Sequence, residues 1–153
     1  MHKQRGYIVV ALLLLLVGIS AKVLAQDQKM PSQEERAKAV NVVRLVNTAE
    51  LWYNMGTKTE TDPIEAHGRY ASWDELNNSG VLKAVQGRPF FATVKDLQVS
   101  ASPEVMPGYR LDLLVSADGK SYSIALHDTK NGDGLFSVFS DQKGIIFLGS
   151  PLQ

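Results

Sequence analysis

The chain has 153 residues, room for one modest domain once any leader is set aside, and it contains no cysteine. A disulfide framework, a cysteine zinc site and a cysteine nucleophile are therefore excluded, and a small domain must hold together by packing alone. Formal charge is zero, but Lys3, Arg5 and Lys22 fall in a first 25 residues without acid, which leaves 13 basic and 16 acidic side chains downstream. That mildly acidic remainder has no electrostatic footprint for nucleic acid, whose binders gather Lys and Arg on one face, so no nucleic-acid partner is expected.

Residues 1–25 read as an export signal or an N-terminal apolar assembly segment. A basic start, MHKQR, precedes an apolar run from Tyr7 to Ile19, and the small residues of Val23-Leu24-Ala25 stand before Gln26. These are the three parts of a signal peptide, with cleavage between Ala25 and Gln26. A hydrocarbon core of ~30 Å needs about 20 apolar residues in a helix. This run stops at Ser20, and only with Lys22 snorkelling do Val23 to Ala25 extend it. Removal and retention both stay open, and either places the rest of the chain outside the cytoplasm: in the periplasm or secreted, or at the inner membrane or in a filament if residues 7–25 are kept.

Residues 26–31 are a polar, Pro-terminated linker, and residues 32–153 the folded domain. Ser32-Gln33-Glu34-Glu35 matches a capping box, with Ser32 as N-cap and Glu35 reaching back. From Gln33 to about Met55 the apolar Ala39, Val42, Val43, Val46, Ala49 and Tyr53 recur at helical spacing, and Gly56 supplies a stop. Trp52 and Tyr53 read as core at the end of that helix. A second cap, Ser72-Trp73-Asp74-Glu75, predicts a short helical turn ending at Asn77-Asn78-Ser79-Gly80, after which Val81 and Leu82 return to the core. Lys83 to Gly108 reads mostly as loop, with Phe90-Phe91 and Leu97-Gln98-Val99 as short strands.

The C-terminal third alternates. Tyr109, Leu111, Leu113 and Val115 share one face of a strand that ends at the tight turn Asp118-Gly119, and Tyr122, Ile124 and Leu126 share one face of the next. Phe136 to Ser140 and Ile145 to Leu148 give a third and fourth strand around Asp141-Gln142-Lys143-Gly144. Four strands with short connections make an antiparallel meander, which buries one face only if something lies across it. The long helix is the available partner. The expected class is α+β, a long N-terminal helix packed on a four-stranded antiparallel sheet.

The helix segment Ala39-Val40-Asn41-Val42-Val43-Arg44-Leu45-Val46-Asn47-Thr48-Ala49-Glu50 resembles the characteristic helix of bacterial type IV pilin-like proteins, where it often reads as a variant of "LRTINTAE". Three more stretches are similar to that family: Gly68-Arg69-Tyr70 to Leu76, like its "G-Y-x-x-x-L", then Gly108-Tyr109-Arg110-Leu111, and Ser140 to Ile146. Order and spacing hold over most of residues 36 to 149. The resemblance implies a pilin fold, in which the exposed half of the N-terminal helix embeds in a membrane or filament core. It also implies a prepilin-type processing site at Gly6-Tyr7, because Lys3-Gln4-Arg5-Gly6-Tyr7 is similar to the end of a prepilin leader. The family's Glu at the fifth mature position, which pairs with the neighbouring subunit's new N-terminus, is Ala11 here.

Chemistry-bearing groups are sparse. Glu60, Asp62, Glu65 and His67 form an acidic loop with one imidazole, read as a solvated surface loop. Asp128, Asn131 and Asp133 resemble a calcium loop but lack the Asp-x-Asp-x-Asp-Gly spacing and the closing Glu, so a hairpin turn explains them better. His127 falls on the outer face of its strand. No Ser-His-Asp, paired-carboxylate or Gly-rich phosphate pattern is present, so no enzyme, cofactor or metal is expected. Two functions remain: a pilin-like structural or assembly component of a type IV pilus or type II secretion pseudopilus, with other subunits, secretion machinery and the membrane as partners, or a free periplasmic or secreted binding domain reusing the fold.

Overall fold

Ser32 opens the longest element of the chain in the computed structural model, which describes residues 30–58, 63–98, 103–130 and 136–149. Its hydroxyl accepts from the Glu35 N–H at 3.2 Å while its own N–H donates to Glu35 Oε2 at 2.9 Å, so two of the donors that a helix start leaves unpaired are satisfied reciprocally. Helix α1, Gln33–Met55, follows for 23 residues. Gly56 ends it at φ 72°, a conformation that favours glycine. A Cβ there would lie 2.8 Å from the Ile64 carbonyl oxygen, because the chain returns against the helix end at that point. The returning backbone is bonded to the last turn, His67 N–H donating to Tyr53 C=O at 3.1 Å and Gly68 N–H to Asn54 C=O at 2.9 Å.

Ala39, Val42, Val43, Val46, Ala49 and Tyr53 are all buried, as their spacing predicts, together with Leu45 and Glu50. Trp52 is half-buried beneath the Arg88 guanidinium, 5.1 Å from the ring centre. Fully burying a side chain such as Val or Leu contributes roughly 1.5 to 3 kcal/mol, which is what holds a helix of unexceptional propensity in place.

Helix α2, Trp73–Asn78, starts on the second capping box, with Ser72 as N-cap. The expectation of loop after it is corrected. Gly80, left-handed at φ 76°, turns the chain directly into helix α3, Val81–Gln86, and a 3-10 segment covers Pro89–Val94. Val81, Leu82 and Val85 are buried against α1, and that burial outweighs the modest helix propensity of valine. Phe90-Phe91 is likewise no strand: Pro89 begins the 3-10 turn and aims Phe91 inward while Phe90 remains exposed. Leu97-Gln98 is not strand either, and Val99 lies outside the described residues.

The sheet runs β1 (Tyr109–Val115), β2 (Tyr122–Asp128), β3 (Ser137–Asp141) and β4 (Phe147–Gly149), antiparallel and in sequence order. Leu111 pairs with Leu126 and Leu113 with Ile124, while Leu126 pairs onward with Val138, so the alternating apolar set forms one face. The third and fourth strands begin later than the sequence spacing suggests. Ser140 Oγ donates to the Ile145 carbonyl at 3.0 Å, taking Ile145 out of the ladder and shortening β4 to three residues. Helix α1 lies against β2 and β3 on the apolar face and against α3 and the 3-10 segment elsewhere. The architecture is α+β. Among the described residues, no helix is long and apolar enough to cross a membrane.

Candidate functional site

Two polar residues of α1 face inward where the apolar pattern would place hydrocarbon. Asn47, half-buried, donates from Nδ2 to Ser140 Oγ at 2.8 Å and accepts at Oδ1 from the Tyr122 hydroxyl at 3.0 Å. It thus holds β3 with one end of its amide and β2 with the other. Burial raises the Tyr122 phenol above the ordinary tyrosine range, and the Glu50 carboxylate adds to the effect.

Glu50 sits one turn further on, four residues after Val46 and seven after Val43, and is 0 % exposed. Its Oε2 accepts from the Ala71 N–H at 2.9 Å, while its Oε1 is buried with no hydrogen-bond partner among the described residues. Burial pushes its pKa up to about 7, opposed by the Ala71 N–H and assisted by the like charge of Glu75. Glu75 is itself held by Arg69 and by the Ser72 cap, which keep its carboxyl down at about 2. The spacing of Glu50 with Val43 and Val46 was the signal in the sequence that it belongs to the buried face.

A cleft of about 230 Å³ lies at the other end of the domain, beside the start of α1. Met30, Pro31, Ser32 and Glu35 line one side, and Tyr109, Asp128 and Lys130 the other. Lys130 Nζ is 2.9 Å from Glu35 Oε1 and 5.3 Å above the centre of the Tyr109 ring. The Lys130 ammonium, then the Ser32 N–H, hold the Glu35 carboxyl down at about 2. Tyr109 is buried, its pKa pushed up to about 12 chiefly by that burial, and its hydroxyl has no partner among the described residues.

Asp128 is buried at the end of β2, with Oδ1 accepting from the Lys130 N–H at 2.9 Å, the geometry of a turn-forming aspartate. Asn131 and Asp133 lie outside the described residues. So do Glu60 and Asp62, and so do both processing sites, Gly6-Tyr7 and Ala25-Gln26. His67 is exposed and stacks on Tyr53 with 3.9 Å between ring centres. His127 is partly exposed on the outer face, where Nδ1 is 3.0 Å from Ser137 Oγ and Nε2 is 3.8 Å from Asp112 Oδ2. Among the described residues no group of three or more His, Asp or Glu is placed to hold a metal ion. What these side chains do together is tie the helix to the sheet and to the 68–72 segment.

No protein-family model matches the chain, and neither a curated protein nor a solved structure matches it.

Proposed function

We propose that this chain is a non-enzymatic, pilin-like protein of the bacterial cell envelope, a structural or assembly component related to type IV pili or type II secretion pseudopili. One observation carries the reading. Three of the four stretches that resemble the pilin-like family meet through hydrogen bonds: Asn47 of the helix stretch with Ser140 of the last, and Glu50 with Ala71 in the "G-Y-x-x-x-L" stretch. Residues that recur as a motif and also carry the tertiary ties are those a shared fold would retain. The apolar segment upstream of Met30 gives such a domain its means of attachment, with other pilin-like subunits, the secretion machinery and the inner membrane as its partners.

Ala11 in place of the family's Glu, and Ala25-Gln26 as an ordinary cleavage site, favour a second reading. In it the leader is an export signal and the product a free periplasmic or secreted binding domain of the same fold. The mass of the mature protein separates them. A start at Tyr7, with recovery in the membrane or a sheared-filament fraction, supports the subunit. A start at Gln26 in the periplasmic fraction overturns it in favour of the free domain.

A further inference from the structure

Glu50 is a carboxyl group in a place built for a neutral side chain. It projects from the last third of α1, one turn after the buried Val46 and one before the buried Tyr53, onto the buried Ala71. One backbone donor serves one of its oxygens, and nothing described serves the other. An ionised carboxylate in such a site normally collects two or three donors or a cation. The charged and titratable groups around it come from three sides. Glu75 on α2 repels it and is itself occupied by Arg69, Tyr122 on β2 donates its hydroxyl hydrogen bond to Asn47, and Tyr53, His67, Arg69 and Tyr70 lie on the end of α1 and the returning segment. Arg69 is spent on Glu75 and Tyr53, and Asp141 of β3 bears on Tyr122.

We propose that Glu50 is a proton-operated latch between α1 and the Gly68–Ser72 segment, closed while the carboxyl is neutral and loosened when it ionises. Neutral, it keeps the Ala71 bond and loses little by being dry. Ionised, it strengthens that one bond but leaves a charged oxygen without water, and the nearest relief is to part the segment from the helix and let water in. The segment is suited to this: its other ties to α1 among the described residues gather on the last turn, where His67 and Gly68 each make one backbone bond, His67 stacks on Tyr53 and Arg69 reaches the Tyr53 hydroxyl at 3.4 Å, while Tyr70 N–H bonds across to Gly119 C=O at 2.8 Å.

The direction follows from linkage. The group is raised in the folded state to about 7 from an ordinary 4.5, so its favourable contribution is complete below 4.5 and is lost as pH rises from there through 7. The latch goes beyond the pilin-like reading and holds whichever way the leader is processed. For a domain outside the cytoplasm it means a tighter fold in mildly acidic surroundings.

The test uses the full chain in mild detergent. Denaturant unfolding between pH 4.5 and 8 should show the unfolding equilibrium constant rising on the order of a hundredfold in the parent. Glu50→Gln, which keeps the shape without the charge, should be flat over the same range, and His67→Gln should retain the parent's rise. An equal rise in Glu50→Gln, or its loss in His67→Gln, overturns the proposal. If Glu50→Gln does not fold, the parent alone decides by NMR. The Glu50 carboxyl should titrate near 7, and protection of the Ala71 amide, corrected for intrinsic exchange, should fall with the same midpoint. A carboxyl titrating near 4.5, or an Ala71 protection indifferent to pH, overturns it equally.

Discussion

Asn47 and Ser140 lie 93 residues apart in the chain and are joined side chain to side chain at 2.8 Å. Because the same amide accepts from Tyr122, one helical residue fixes the position of two strands, and its loss leaves two partly buried hydroxyls short of a partner. Asn47→Leu is expected to cost about 2 to 3 kcal/mol and Tyr122→Phe about 1 kcal/mol, since the latter leaves Asn47 with Ser140 still bound. The double variant should cost less than the sum of the two singles by about 1 kcal/mol. Chemical denaturation of the four proteins checks it, and strict additivity would show that the two residues are not coupled.

Val46 is completely buried at the interface of α1 with the rest of the core. Replacing it with aspartate puts a charge without a partner into that interface, so Val46→Asp should destabilise the domain by about 3 kcal/mol or more. Thermal unfolding reads this directly; a melting temperature equal to the parent's would mean that this face is not core.

Below pH 4.5 the acid response should run opposite to that of Glu50. Glu35 and Glu75 are both lowered to about 2, by Lys130 and by Arg69 with their respective serine caps. Each is lowered on folding, so what it contributes is present above its ordinary value and is lost as pH falls from about 4.5 towards 2. Both side chains are more than a third exposed, and solvent screening makes the contribution small. Lys130→Met should move the Glu35 titration up towards the ordinary value and leave Glu75 where it is. Side-chain carboxyl NMR distinguishes the two, and an unmoved Glu35 would mean that its ion pair is not formed in solution.

Calcium should not be needed for folding. Asp128 is itself buried and engaged by the Lys130 N–H, so millimolar calcium is expected to shift the melting temperature by no more than about a degree. A rise of many degrees, abolished by Asp133→Ala, would instead establish the 128–134 loop as a calcium site.

What could be read in advance was local. Ser32 with Glu35 and Ser72 with Glu75 are signals four residues long, and both helix starts lie where those pairs put them. The sheet faces were equally legible, because alternation in Tyr109 to Val115 and Tyr122 to Asp128 has a period that only strands share. Val81 and Leu82 belong to the core as expected, but the helical turns from Lys83 to Val94 were not legible, for the opposite reason. Six-residue helices are too short to display a period, and α3 exists because α1 offers Val81, Leu82 and Val85 a surface that no local pattern reveals. Within the candidate site, Glu50 was open to discovery by its spacing from Val43 and Val46, whereas the meeting of Asn47 with Tyr122 and Ser140 depends on strand register and on how the helix crosses the sheet.

Lys130, two residues past the end of β2, grips Glu35 in the first turn of α1, and Asn47 grips Ser140 twelve residues along the same helix, about 18 Å at 1.5 Å per residue. A tug on the chain at Met30 therefore enters a rod riveted to the sheet at two points along its length. Such a rod resists in shear, with both rivets and the apolar seam between them loaded at once, and does not peel away turn by turn from its free end. The domain consequently meets a load applied at Met30 with the whole helix–sheet seam and not with its first turn alone. Cutting the first rivet with Lys130→Met would let the first turns of the helix lift before the load reaches Asn47, and single-molecule extension from the N-terminus would record the change as a lower rupture force.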